Sequence, residues 1–109
     1  MAWLLDDQRV LATCEQAVTL PQKTKGLLGR KNFDGAMLIR NTKGVHTFGM
    51  HFAIDVAFLD RDLKVLATRS VRPWRISMPS MKAHNVLEAE VGAFERWGLN
   101  VGDVLEIKD

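Results

Sequence analysis

Long apolar runs are missing from this chain of 109 residues. Its apolar stretches are short and broken by Asp or Lys, so none approaches the roughly 20 residues that a bilayer-spanning helix needs. Cysteine is nearly absent. The single thiol, Cys14, rules out an intramolecular disulfide, so stability has to come from packing, which fits a reducing compartment. Met1 to Gln8 lacks a basic stretch leading into a longer apolar core, so we expect no export signal and a cytoplasmic location. Charge of one sign is scarce too: fifteen basic against thirteen acidic residues leave a formal charge of +2, which alone implies no polyanionic partner. Repeats, low-complexity tracts and Pro/Gly/Ser-rich linkers do not occur, and residues 1–109 read as one domain. Glycine-rich phosphate loops are also missing. Ser70, Ser77, Ser80 and Cys14 stand in no Ser-His-Asp or Cys-His context, which lowers the case for an enzyme.

What the chain does contain is a series of short β-type segments. Arg9 to Gln16 reads as a strand with Val10, Ala12 and Cys14 on one face. Thr19, Leu20 and Pro21 place a capping residue and an early proline before a run that ends at Gly29, predicting a helix of about two turns. Lys31 to Gly35 is turn chemistry, and Ala36 to Arg40 behind it reads as a strand. Ile54 to Leu59 is apolar on both faces except at Asp55, as in a central strand. Through Asp60-Arg61-Asp62 it leads to a second strand over Leu63 to Val71, which predicts a hairpin. Pro73 to Pro79 reads as an irregular exposed crossing. Val86 to Val91 and Val104 to Ile107 read as strands, with one helical turn over Ala93 to Trp97 before Gly98. Strands this short, joined by turns, predict a mainly β (α+β) domain: a compact antiparallel β-barrel or sandwich with two short helices.

Gly26-Leu27-Leu28-Gly29-Arg30, Gly35-Ala36-Met37-Leu38, His46-Thr47-Phe48-Gly49-Met50, Ile54-Asp55-Val56-Ala57-Phe58-Leu59-Asp60, Val86-Leu87-Glu88 and Gly102-Asp103-Val104 occur in that order. Together they resemble the domain-of-unknown-function family 192 from about Val10 to Ile107. The resemblance implies a compact β-dominated domain and no established activity. It also implies relatives that are often exported or lipid-anchored. Carried onto this chain, its polar motif positions are Arg30, His46, Thr47, Asp55, Glu88 and Asp103.

Each polar candidate has a structural role to set beside a functional one. His46, His51 and Asp55 are spaced five and four apart, and two imidazoles with a carboxylate suit a borderline metal, although no named metal motif has this spacing. A structural histidine beside a surface one is the competing role. An unpaired buried Asp55 would cost several kcal/mol, so it needs a partner; Arg30 or nearby backbone amides are the candidates. Glu88 faces away from Leu87 and Ala89, and would gain acid-base character if it approached Asp55. Arg69, Arg72, Arg75 and Lys82 surround Trp74, a composition that can stack a base and meet phosphates, or form a solvated loop. Met37, Met50, Met78 and Met81 read as packing residues, and Gly102-Asp103 as a turn.

The first functional expectation is a non-catalytic ligand-binding or interaction module. Its polar pocket lies around His46, Asp55 and Glu88, with Arg30, Thr47 and Met50 contributing. The alternative is a small hydrolase-like enzyme, possible metal ligands being His46 and His51, in which Asp55 or Glu88 is the base and His46 orients or protonates. A third reading is weak nucleic-acid binding through the Arg69 to Lys82 loop. No cofactor is expected. The expected partner is a small ligand or a protein; no membrane partner is expected, and nucleic acid is disfavoured.

Overall fold

The computed structural model describes residues 2–25, 27, 33–76 and 80–109. Its elements are β1 (Ala2–Asp6), β2 (Arg9–Ala17), α1 (Leu20–Lys25), β3 (Ala36–Arg40), β4 (Ile54–Leu59), β5 (Val65–Val71), β6 (Asn85–Glu90), α2 (Ala93–Trp97) and β7 (Leu105–Lys108). The strands form one seven-stranded sheet in the order β5-β4-β6-β3-β2-β1-β7, curled into a half-barrel. At one end its edges meet. Val65 N–H donates to the Asp103 carbonyl at 2.8 Å and Leu105 N–H to that of Leu63 at 2.9 Å.

Local chemistry sets the elements. The Thr19 hydroxyl accepts the Gln22 N–H at 3.3 Å, and the Gln22 side-chain oxygen accepts those of Val18 and Thr19 at 2.9 and 3.1 Å, a reciprocal cap that starts α1. Between β4 and β5, one Asp60 carboxylate oxygen accepts the backbone N–H groups of Asp62 and Lys64, each at 2.9 Å. This holds Leu63 in the left-handed region, at φ 65°, and delays the start of β5 to Val65.

Two features depart from the sequence expectation. Residues 2–6 form a strand, paired with both β2 and β7. Further, β2 and β3 run parallel, with Cys14 opposite Ala36 and Ala17 opposite Ile39, so the sheet is mixed rather than purely antiparallel. The connection through α1 is long enough to return the chain to the starting end of the sheet, which a parallel pair requires and a tight turn cannot do.

Side chains alternate between the two faces, and each face has its own buried cluster. The inner one contains Leu4, Cys14, Leu38, Ala57, Leu59, Leu87 and Ala89, and the Phe94 side chain of α2 packs into it. The outer one contains Met37, Met50, Ile54, Val56, Phe58 and Val86, packed with Leu27, Phe33 and Ala83 from connecting segments. No helix among the described residues is long and apolar enough to cross a membrane.

Candidate functional site

Asp55 shares the inner face with Ala57 and Leu59, and its carboxylate is committed to structure. One oxygen accepts the backbone N–H groups of Gly92 and Phe94 at 3.0 and 3.2 Å, and the other accepts the Ser70 hydroxyl at 3.1 Å. These bonds cap the start of α2 and tie it to the hairpin. They supply the backbone-amide partners foreseen for Asp55, while Arg30 lies outside the described residues.

Glu88 is opposite Met37 on β3 and Val56 on β4, on the outer face. It is 4% exposed, and burial pushes its carboxyl up to about 7. Asp55 and Glu88 therefore do not share a pocket. His46 and His51 are exposed on the segment between β3 and β4. Among the described residues no group of three His, Cys, Asp or Glu side chains is placed to hold a metal ion. The structure thus does not assemble His46, Asp55 and Glu88 around one point.

What it does assemble begins at Thr47, which is fully buried. The Thr47 hydroxyl lies 2.5 Å from the Arg72 carbonyl and 3.1 Å from that of Arg75, and accepts the Arg75 N–H at 2.8 Å. Its own backbone N–H donates to the Arg75 carbonyl at 2.8 Å, and its carbonyl accepts the N–H groups of Trp74 and Met50 at 2.9 and 3.1 Å. One threonine thus clamps two loops together, with Met50 buried beneath. Above the clamp, His46 stacks on Phe48 with ring centroids 5.4 Å apart, and Phe48 meets Trp74 at 6.3 Å. Phe48, Trp74 and Ile76 are 43%, 62% and 68% exposed. Trp74 has φ 61°, a conformation unusual for a bulky residue, and the Thr47 clamp holds it there. Arg72 and Arg75 are exposed beside it.

Sequence proximity groups Trp74 with its basic neighbours, whereas its ring partner Phe48 comes from a segment 26 residues earlier. One signal was available. No Asp or Glu occurs from Gly35 to Ile54 or from Leu63 to Leu87, whereas Arg40 and Lys43 occur in the first stretch and Lys64, Arg69, Arg72, Arg75 and Lys82 in the second. The overall charge of +2 conceals this segregation. The two acid-free stretches also run along each other, through Thr42 to His84, Lys43 to Ser80, His46 to Ile76 and Thr47 to Arg75.

Asp103, the remaining residue singled out by resemblance, faces Asp6. Burial, then a side-chain hydrogen bond and charge from Asp103, push the Asp6 carboxyl up to about 6, while the same hydrogen bond holds Asp103 below its usual range. Arg9 approaches Asp6 at 4.0 Å and donates to the Trp97 carbonyl at 2.7 Å, so the pair belongs to the seam joining β1, α2 and the segment before β7.

The family model of DUF192, described as Uncharacterized ACR, COG1430, matches residues 2–107. A UPF0127 protein of Pyrococcus abyssi is 40% identical over 62 residues, 57% of this chain and 53% of that protein. Another from Thermococcus sibiricus is 29% identical over 96 residues, 83% of this chain and 62% of that protein. The chain thus spans about half to three-fifths of the length of these curated relatives. Among solved structures, a Novosphingobium aromaticivorans protein of unknown function shares the fold with TM-score 0.81 at 20% identity, over 96% of this chain and 82% of its own. A Sinorhizobium meliloti protein, described as a candidate transcription regulator, has TM-score 0.81 at 26% identity, over 96% of this chain and 90% of its own.

Proposed function

The chain belongs to the DUF192 family, and we propose that it is a non-catalytic binding module that receives its partner on the ledge formed by His46, Phe48, Trp74 and Ile76. The observation carrying this reading is the exposed ring stack, held on a fully buried threonine clamp. Exposed aromatic side chains are costly to solvate, and Trp74 bears a further backbone cost at φ 61°. A rigid ledge recovers the solvation cost when a partner covers it, with little freedom lost on binding, while the backbone cost is borne in both states and keeps Trp74 displayed. Asp55 is occupied in capping α2 and Glu88 faces the opposite side of the sheet, so the ionisable candidates support binding better than acid-base chemistry.

Single-stranded nucleic acid is the partner class that fits. Stacked rings accept bases without regard to sequence, and Arg72 and Arg75 stand beside them in a stretch with no carboxylate. This local segregation outweighs the small overall charge, which had placed nucleic acid behind small ligands and proteins. The description of the Sinorhizobium meliloti relative, which belongs to that protein, agrees with a partner of this chemistry.

Fluorescence anisotropy with a labelled oligothymidylate tests the reading. Binding at low salt is expected, with quenching of tryptophan emission. With two or three cations on phosphates, log affinity should fall against log salt with a slope of about −2, or roughly tenfold between 50 and 200 mM. Trp74→Ala should remove most of the affinity, since one stacked base contributes about 1–3 kcal/mol. Absence of binding at low salt, or an unchanged affinity in Trp74→Ala, would overturn the nucleic-acid assignment.

A further inference from the structure

At the end of the half-barrel away from α2, the inner face opens into a cleft of about 480 Å³ lined by Val18, Arg40, Asn41, Arg61, His84 and Asn85. We propose that this cleft is a binding site for a phosphate group, held by Arg40, Arg61 and His84. The site is separate from the aromatic ledge and does not depend on the nucleic-acid reading.

The strand order explains why these residues meet. Arg40 on β3 and Leu59 on β4 are the register partners of Asn85 on β6, so the last residues of β3 and β4 and the first of β6 form one row. Alternation from Leu38 and Leu87 puts Arg40 and Asn85 on the inner face, at its mouth. Asn85 is 4% exposed and fixes the surrounding segments: its side-chain oxygen accepts the Asn41 N–H at 3.2 Å, and its amide nitrogen donates to the Asp60 carbonyl at 3.1 Å. The first bond sets the chain leaving Arg40, and the second sets the turn carrying Arg61. His84 is fixed through its backbone, its N–H donating to the Leu59 carbonyl at 2.8 Å and its carbonyl accepting the Thr42 N–H at 3.0 Å.

The lining donors match a tetrahedral oxyanion. Arg40 Nε donates to the Gln16 side-chain oxygen at 3.2 Å, which orients its guanidinium and leaves the Nη donors outside that bond. Among the described residues, none of those lining the cleft is a carboxylate. Two carboxylates flank Arg61 in sequence: Asp60 directs an oxygen to the N–H groups of Asp62 and Lys64 within its own turn, and Asp62 is exposed to solvent. Lys23 adds positive charge at the rim, its Nζ lying 3.4 Å from the Asn41 carbonyl. Three donors from three segments suit the oxygens of a phosphate, whereas a planar carboxylate is satisfied by one guanidinium fork.

The test is an amide NMR titration of the full chain with sodium phosphate at constant ionic strength, with parallel titrations of adenosine monophosphate and sodium acetate. Saturable shifts at Asn41, Arg61 and His84, with the Trp74 signals unmoved, are the expected result. Arg40→Ala and Arg61→Ala should each weaken phosphate at least about tenfold, with the dispersion of the remaining amides showing that both variants are folded. Tighter binding of the monophosphate would assign the site to a phosphorylated metabolite, and tighter binding of the inorganic ion to free phosphate; both support it. No saturable shift at millimolar phosphate, equal binding of acetate, or unchanged affinity in both folded variants would overturn it. Because Trp74 is read in the same spectra, loss of oligonucleotide binding at the ledge leaves this result intact, and the reverse holds as well.

Discussion

Asp55 and Glu88 lie on adjacent strands with their side chains on opposite faces of one sheet, Asp55 standing opposite Ala89, and Val56 opposite Glu88. This offset of one residue separates a carboxylate that organises a helix from one buried beneath loops. Their different surroundings lead to different expectations.

For Asp55 the expected consequence of mutation is structural. Asparagine retains an oxygen for the Gly92 and Phe94 amides but loses the charge that strengthens those bonds, so Asp55→Asn should cost about 1 kcal/mol. Alanine leaves both amides without that acceptor and should cost about 2–3 kcal/mol. Urea unfolding checks the order. Equal effects of the two variants would remove the cap from the account of α2.

Glu88 is expected to make stability fall as pH rises. Its carboxyl is pushed up by burial from 4.5 to about 7, so between those values the unfolded chain releases a proton that the folded protein keeps. The stability present below pH 4.5 is therefore lost progressively up to about pH 7, with a ceiling of about 3 kcal/mol. Glu88→Gln should flatten that part of the profile. A slope that persists in the variant would place its origin elsewhere.

The strands Ile54–Leu59 and Ala36–Arg40 were legible at their ends because Asp60, Gly35 and Asn41 punctuate apolar runs. The α2 turn was legible from Gly98, whereas Gly92 at its other end emerges only in the structure. The strand Ala2–Asp6 was not legible, since its hairpin with β2 turns through Asp7 and Gln8 at positive φ without the usual glycine, and its pairing with β7 joins segments far apart in sequence. The parallel β2–β3 pair was hidden for a related reason: it depends on where α1 returns the chain. At the candidate site, Thr47 was legible only as a motif position, because its significance lies in bonds to residues 25 and 28 positions away. The cleft at Arg40, Arg61 and His84 likewise appears only once three strand ends are aligned.

Thr47→Val tests the clamp with little change in side-chain shape. The hydroxyl's bonds to the Arg72 and Arg75 backbone are lost, and buried groups left unpaired cost about 1–3 kcal/mol. For a domain near 100 residues that corresponds to a fall in Tm of roughly 5–20 °C. The ledge should loosen as well, so Trp74 emission, isolated by Trp3→Phe and Trp97→Phe, should lose anisotropy in the variant at temperatures where it remains folded. Unchanged stability and anisotropy would show that the backbone bonds of Thr47 suffice to hold the two loops.

Cys14 is expected to be inert in the folded protein. It is 5% exposed in the inner cluster, and burial pushes its thiol up to about 11, so very little thiolate forms at neutral pH. Iodoacetamide at pH 8 should label it only after unfolding in guanidinium chloride. Rapid labelling of the native protein would show that the sheet opens at β2 more readily than its packing implies.

Asp6 and Asp103 give a second source of pH dependence, separable from Glu88. Up to about pH 6 the folded Asp6 carboxyl keeps its proton and can donate it to Asp103, whereas above that value both are ionised and repel across the β1–β7 seam. Relative to the unfolded chain, the raised value of Asp6 removes stability as pH rises from 3.8 to about 6, while the lowered value of Asp103 adds stability as pH rises through its own range. The two partly offset at acid pH, and the Asp6 contribution remains as the loss nearest neutrality. Asparagine at position 6 keeps a hydrogen-bond donor for Asp103 at every pH without the second charge. Asp6→Asn should therefore gain stability at pH 8 and little at pH 5, where the native proton already does this work. Measuring Tm at both values for the single variants and for Asp6→Asn with Glu88→Gln separates the two carboxyls, because they lie on different strands and their effects should add. A double variant as pH-dependent as the native protein would remove both groups from the account of its stability.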